Sequence, residues 1–397
     1  MRTFVVCFTL LLISAAFKND AADVAIFELQ NGLPVSAIKS LSVPLTLAAL
    51  LAAGWSARRA LLSPRAPYEL IALLACGTAI ASFSSLYNET GHVAKILMSF
   101  LICVIVIVSV CHVIDKYGVE RWSGCLDQSI FGFGAVLVAA NFPDYVRGFG
   151  FVADNPRMFG SASHPNFFGV QLAICALAFL AVAMKSGRPA LRIGAVMLMG
   201  PSLILLLATG SRTAMLMFGF GSALAIWVRL GLPAWVGFMA AALAVLSTFY
   251  VLGAVDLSGY SEVFARQGDV ETRGYAWTVL LEAIGKSPLV GYGDFIDASE
   301  NSLLRAAVLY GIAYALGVTL VICILLVIGI VRSECEEQIF SNTAGYGAAI
   351  LVGSNLEGFL ADMFSPIWLV AVMLIASTVI EGKRAMTARS TIRRAPA

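Results

Sequence analysis

Charge is what this chain has least of. Only 13% of its 397 residues are Asp, Glu, Lys or Arg, where a soluble domain carries about 25%. With 59% hydrophobic residues and a mean hydropathy of +0.88, that shortage excludes a soluble globular enzyme. Metal-binding patterns are absent as well. The eight cysteines include no CxxC pair, and the three histidines form no Cys/His cluster with zinc spacing. Neither a disulfide framework nor a zinc site is expected, and no metal or cofactor is called for. The net charge of +2 is spread over many loops rather than massed in one patch, so no nucleic-acid partner is indicated. Internal repeats, low-complexity tracts and a soluble domain are also missing. The chain reads as a single integral membrane domain over residues 1–397.

Long apolar runs take their place. A bilayer crossing needs roughly 20 mainly apolar residues, and twelve runs qualify as candidates. They lie near 3–17, 36–54, 67–87, 93–114, 122–141, 165–184, 189–208, 213–230, 233–254, 303–331, 341–361 and 364–381. The expected fold is an all-α polytopic membrane protein of about 12 transmembrane helices, with the large loop between the ninth and tenth. The first run starts at Arg2 and ends in Ser14-Ala15-Ala16, so it reads either as a span or as a signal peptide.

The basic residues orient the spans. Most of the 26 Lys and Arg fall in alternate segments: Arg58, Arg59 and Arg65, Lys185, Arg188 and Arg192, and the C-terminal group from Lys383 to Arg394. Those segments are expected in the cytoplasm with both termini. Lys18, Lys39 and Lys95 sit at outer span ends, where snorkelling accounts for them. Seven remain: Arg147, Arg157, Arg212, Arg266, Arg273, Lys286 and Arg305. All fall in or beside outward segments, and six are arginine, the side chain suited to planar, bidentate phosphate contacts. An outer face that runs against the positive-inside trend with arginine suggests a bound anion.

Three outward segments carry the candidate site. The first, 141–166, is rich in Gly, Pro, Asn and aromatics and is expected to turn rather than form a long helix; it holds Arg157, His164 and Asn166. The second is the tight turn Thr209-Gly210-Ser211-Arg212, after which a helix N-terminus offers N–H donors and a positive dipole. The third, 255–302, is the longest loop and holds Arg266 and Arg273. Arg273 and Trp277, four apart, would share a helix face. Tyr275, Trp277, Leu280 and Leu281 would rest on the membrane surface. The loop ends in Glu300 and Asn301. Glu357, near the outer end of the eleventh run, is an intramembrane carboxylate and so a site candidate. Gly219 and Gly221 are expected to permit close helix packing.

The ordered set GSASHPNFFG, ATGSRTAML, TRGYAW, SPLVGYGDF and ENSLLRAAVLYG resembles the O-antigen ligase and O-antigen/exopolysaccharide polymerase superfamily of bacterial inner-membrane proteins. It covers about residues 155–330. The resemblance implies a metal-independent glycosyltransferase whose active face is periplasmic. Its partners would be an undecaprenyl-pyrophosphate-linked saccharide, a saccharide acceptor and the lipid bilayer; whether a chain-length regulator binds stays open. Carried over, the Arg of the family's TSR-type motif is Arg212 and its large-loop Arg is Arg273, both on the pyrophosphate. Family ligases have a histidine before the asparagine that ends the large loop; here that position is Glu300.

A sugar on pyrophosphate is already activated, so the enzyme has two tasks. It must stabilise a departing anion, which fixed arginines do, and deprotonate the acceptor hydroxyl, which a carboxylate or histidine does. No DxD motif is present, so a metal bridging the diphosphate is not required. The expected catalytic residues are Glu300 as base with Arg212 and Arg273 as the clamp. Arg266, Asn301, His164, Asn166, Arg157 and Glu357 are expected to bind substrate. A polymerase is preferred to a ligase because the ligase-type histidine is missing. A transporter fits less well, since its charges would gather at the bilayer midplane.

Overall fold

In a bilayer an unpaired backbone N–H or C=O costs several kcal/mol, so an apolar run must satisfy its own backbone, and a helix does so. The computed structural model follows that rule. It describes residues 1–18, 29–63, 66–152, 155–162, 164–230, 272–293, 301–335, 341–362 and 364–394. In chain order the helices are α1 (Arg2–Ala16), α2 (Leu33–Ala57), α3 (Tyr68–Tyr87), α4 (Val93–Tyr117) and α5 (Val119–Arg147). After a two-stranded hairpin come α6 (Pro165–Lys185), α7 (Pro189–Ala208), α8 (Arg212–Leu230), α9 (Thr272–Lys286) and α10 (Ser302–Tyr310). The set closes with α11 (residues 312–335), α12 (Ser341–Ser354) and α13 (Pro366–Arg394). Among the described residues eight helices are long and apolar enough to cross a membrane, and Arg2–Ala16 and Arg212–Val228 are shorter apolar helices. The protein is an all-α polytopic membrane protein. The expected ninth run, 233–254, lies outside the described residues.

Burial separates the centre of the bundle from its rim. The apolar window of α13 is 83% buried and that of α6 78%, against 28% for α2 and 22% for α7. So α13 and α6 form the core, where Trp368 (α13) and Phe168 and Phe179 (α6) are buried. The outer helices turn residues such as Leu51, Trp55 and Met197 outward. Helices α8 and α12 cross where both lack side chains. A Cβ on Gly221 would stand 2.8 Å from the Gly345 carbonyl oxygen, and one on Gly345 the same distance from the Gly221 oxygen. Gly221 thus fulfils the close-packing expectation; Gly219 has open space beside it.

Three elements differ from their expected form. Helix α5 runs to Arg147 rather than stopping before Asn141, because its polar residues find partners inside the protein. The Asn141 amide donates to the Ser161 hydroxyl at 3.4 Å, and Asp144 accepts from the Gly32 N–H at 2.8 Å. Tertiary bonds thereby override a turn-like composition, and the outward loop begins at Gly148, a left-handed C-cap. It then forms a short antiparallel hairpin, Phe151–Val152 with Asn155–Met158. Second, the run expected as one span over 303–331 is broken at Gly311 (φ 87°). The Ile312 N–H bonds the Pro288 carbonyl and the Tyr292 N–H the Val308 carbonyl, each at 2.8 Å. A Cβ on Gly311 would lie 2.1 Å from the Leu289 oxygen, so only glycine lets the loop backbone dock there. Helix α10 is therefore a short separate helix, and the span starts at Ile312. Third, Leu280 is fully buried against Val308 in a small cluster of α9 and α10; Tyr275, Trp277 and Leu281 are exposed.

Three ion pairs lie at one end of the bundle. Lys185 meets Asp127 at 3.2 Å, Lys383 meets Glu69 at 2.6 Å and Arg384 meets Asp115 at 3.1 Å. The other end carries the candidate site.

Candidate functional site

The site begins with a turn that needs glycine. Gly210 sits at φ 58°, ending α7 and letting Thr209-Gly210-Ser211-Arg212 reverse the chain into α8. The turn is bonded from within. The Thr209 hydroxyl donates to the Leu206 carbonyl at 2.7 Å and accepts from the Ser211 N–H at 3.2 Å. The Ser211 hydroxyl in turn accepts from the Ala214 N–H at 3.3 Å, an N-cap interaction. Helix α6 presses against this turn through Gly169, whose Cβ would stand 2.8 Å from the Thr209 hydroxyl.

Arg157 fastens the hairpin to the same place. Its Nε donates to the Thr209 carbonyl at 2.8 Å, and its Nη2 donates to the Asn166 side-chain oxygen. The Asn166 amide then donates to Glu357 Oε1 at 2.8 Å. The Thr213 hydroxyl donates to the same oxygen at 3.2 Å. The Glu357 backbone carbonyl takes a bond of 2.7 Å from the Ser302 hydroxyl. Glu357 is 1% exposed.

Two helix starts therefore meet at one buried carboxylate: Asn166 in the first turn of α6 and Thr213 in that of α8. A third start, that of α10, reaches the Glu357 backbone through Ser302. Each helix start carries a partial positive charge from its unsatisfied N–H groups. A carboxylate is costly to bury alone, and the two side-chain donors with the α6 and α8 starts offset that cost. Arg212 is exposed at the start of α8, next to Thr213. A guanidinium so placed, at a helix N-terminus, can receive an anion.

Two expected site residues prove to be helix caps. His164 caps α6: its Nδ1 accepts from the Asn166 N–H at 3.2 Å, so the imidazole fixes the helix start that carries Asn166. Asn301 caps α10, its side-chain oxygen accepting from the N–H groups of Leu303 (2.9 Å) and Leu304 (3.1 Å). Asn301 has φ 77°, a left-handed conformation that non-glycine residues rarely hold and that clusters at functional sites. Arg273 lies in the first turn of α9, and its side chain, like residues Arg266 and Glu300, lies outside the described residues.

Residues 195–315 match the O-antigen ligase family model. Over that stretch the chain is similar to the O-antigen ligase family. The matched stretch runs from within α7 through the Thr209–Arg212 turn and α10 to the break at Gly311, and so contains Arg212, Thr213, Asn301 and Ser302. No curated protein matches the chain.

The structure thus brings Arg157, Asn166, Arg212 and Glu357 to one junction, with His164 and Asn301 holding two of its helix starts. Sequence reasoning missed Thr209, Thr213 and Ser302. The partial signal for Thr213 was its place directly after that arginine, about 100° around the helix from it. Among the described residues no group of three or more His, Cys, Asp or Glu is placed to hold a metal.

One carboxylate nearby titrates abnormally. Burial pushes the Asp362 carboxyl up, but the Lys18 ammonium at 2.9 Å, with Lys95 adding to it, holds it below its usual range.

Proposed function

We propose that the protein is a polysaccharide polymerase of the O-antigen or exopolysaccharide type in the bacterial inner membrane. Both termini lie in the cytoplasm and the Glu357 junction faces the periplasm. The observation that carries this reading is Arg212, exposed at the start of α8 one residue before Thr213, which with Asn166 bonds the buried Glu357 carboxylate.

In the proposed reaction the donor is a saccharide on undecaprenyl pyrophosphate. Arg212 and Arg273 hold the pyrophosphate, assisted by Arg266, and stabilise the charge that grows as it leaves. An acceptor hydroxyl attacks the anomeric carbon; the bond from that carbon to the pyrophosphate oxygen breaks, and the lipid pyrophosphate departs with the electron pair. Glu300 takes the hydroxyl proton. Asn301, beside it, fixes the direction from which the acceptor approaches. Glu357, Asn166, Arg157 and Thr213 are positioning residues: they keep the Arg212 turn and the α6 start in register. No step calls for a metal, because the fixed guanidinium groups and helix dipoles supply the positive charge.

A second reading is an O-antigen ligase, favoured by the description of the matching family model. The polymerase is preferred because Glu300 stands where family ligases have histidine. A gene deletion with side-by-side gels of lipopolysaccharide and secreted polysaccharide separates the two. Cores capped with a single repeat, or loss of long exopolysaccharide alone, support the polymerase. Bare cores with long chains still on the carrier lipid support the ligase. Full activity of both Arg212→Ala and Arg273→Ala at normal abundance refutes the clamp.

A further inference from the structure

A cavity of about 80 Å³ opens near the candidate site and plays no part in the chemistry above. Its walls include His92 and Lys95 at the start of α4, Arg305 and Tyr310 on α10, Gly293 and Asp362. One water needs about 10–15 Å³ of such volume, so the space suits a group the size of a phosphate. Among its described walls Lys95 and Arg305 carry positive charge and Asp362 negative charge, a net positive balance, and the Asp362 carboxylate is ion-paired to Lys18 at 2.9 Å. Arg305 is 3% exposed, a guanidinium buried at the cavity wall, whereas Lys95 is exposed at its mouth. A metal ion would meet repulsion from both. An anion with several oxygens matches an arginine fork together with a lysine point charge.

The surroundings indicate that the anion belongs to a lipid. One turn below Lys95, Leu97, Met98 and Leu101 on α4 are about half exposed, and Phe83 and Leu86 at the end of α3 more so. In a bilayer these faces meet acyl chains, so a headgroup in the cavity leaves its tail in lipid. The cavity also shares two elements with the Glu357 junction: α10, whose Ser302 bonds Glu357 while its Arg305 lines the cavity, and the 357–362 segment.

We propose that this cavity is a second lipid-phosphate site, which holds the carrier phosphate of the acceptor while the Arg212 side holds that of the donor. The proposal rests on the polymerase reading, in which both substrates are carrier-linked. Two headgroup sites sharing α10 would set the distance between the acceptor's terminal hydroxyl and the donor's anomeric carbon.

The test is native mass spectrometry of the full-length purified protein with farnesyl pyrophosphate as probe. Wild type should bind two copies, and Lys95→Glu and Arg212→Ala one each. Lys95 is exposed, so its reversal leaves packing intact; Arg305→Lys, which keeps the charge, should retain two copies with weaker binding. Lys95→Glu should also raise the acceptor concentration at half-maximal rate roughly tenfold or more, as expected for one charged hydrogen bond. Two copies on Lys95→Glu overturn the proposal. Phosphatidylglycerol displacing the Lys95-dependent copy at equal concentration overturns it too, since the cavity would then hold bulk phospholipid. Inorganic pyrophosphate binding there as tightly as the farnesyl probe overturns the role of the lipid tail. If Arg212→Ala keeps two copies while Lys95→Glu loses one, the cavity site stands and the donor clamp falls.

Discussion

Replacing Glu357 should separate stability from catalysis more clearly than any other change. In Glu357→Ala the Asn166 amide and the Thr213 hydroxyl lose their common acceptor, to which they donate at 2.8 and 3.2 Å. Hydrogen bonds to a charged group are each worth about 1.5–3 kcal/mol. Breaking a buried charged cluster by removing one partner costs about 3–5 kcal/mol, and we expect a loss in that range. Glu357→Gln keeps the volume and one carbonyl acceptor, so it should cost only about 1–2 kcal/mol, close to a single net hydrogen bond. The Gln variant should therefore fold at normal abundance yet transfer saccharide slowly, because its amide carbonyl is a weaker common acceptor for the α6 and α8 starts and the Arg212 turn shifts. The assay pairs thermal unfolding in detergent with the length distribution of polysaccharide made in a deletion strain. A Glu357→Ala protein with wild-type unfolding temperature and a wild-type ladder would refute this account of the junction.

Arg212→Ala should lower activity at least a hundredfold with unfolding temperature unchanged, since removal of one donor to a transition-state charge typically costs about 10²–10³-fold and the side chain is exposed; loss of folded protein would contradict that placement. Gly221→Leu should destabilise the α8–α12 crossing by about 1–3 kcal/mol, as overpacking does, because even a Cβ would meet the Gly345 oxygen at 2.8 Å; Gly219→Leu, with open space beside it, should be tolerated, and equal effects on unfolding would be inconsistent with the crossing. Despite its burial, the Asp362 carboxyl is held below the usual carboxylate value by Lys18 beside it. Its pairing with Lys18 therefore stabilises the fold above that value and is lost as pH falls through the lower, folded one. Lys18→Met should flatten the acid end of a stability–pH curve below about pH 4, and an unchanged curve would show that the pair contributes nothing.

Several site residues were legible without tertiary structure because their placement is abnormal for a membrane chain. Arg212 stands out as an outward arginine at the end of an apolar run, and Glu357 as a carboxylate inside one; both violate the cost of charge at that depth. Asn166 and Arg157 were visible only as polar residues in a turn-rich segment, with no sign of which would touch which. His164 and Asn301 were legible as polar residues of the site segments, and only the structure showed that they also cap α6 and α10. The cavity beside Lys95 left no mark in the sequence, since its walls come from α4, α10 and the segment after α12.

What the sequence determined by itself is the class of molecule, an all-α polytopic membrane protein. Lipid is a uniform solvent that forces each apolar run to satisfy its own backbone, so span and helix coincide and length can be read locally. The tertiary structure decided the rest. It ended α5 at Arg147, where buried Asn141 and Asp144 find partners, and it broke the run at Gly311, where the loop backbone docks. It also brought Glu357 to Thr213 across 144 positions and to Asn166 across 191. Such meetings depend on which helix faces pack together, and an apolar helix in lipid carries no polar stripe to announce its facing side. The small residues and buried donors that choose the partner become readable only once the bundle has formed.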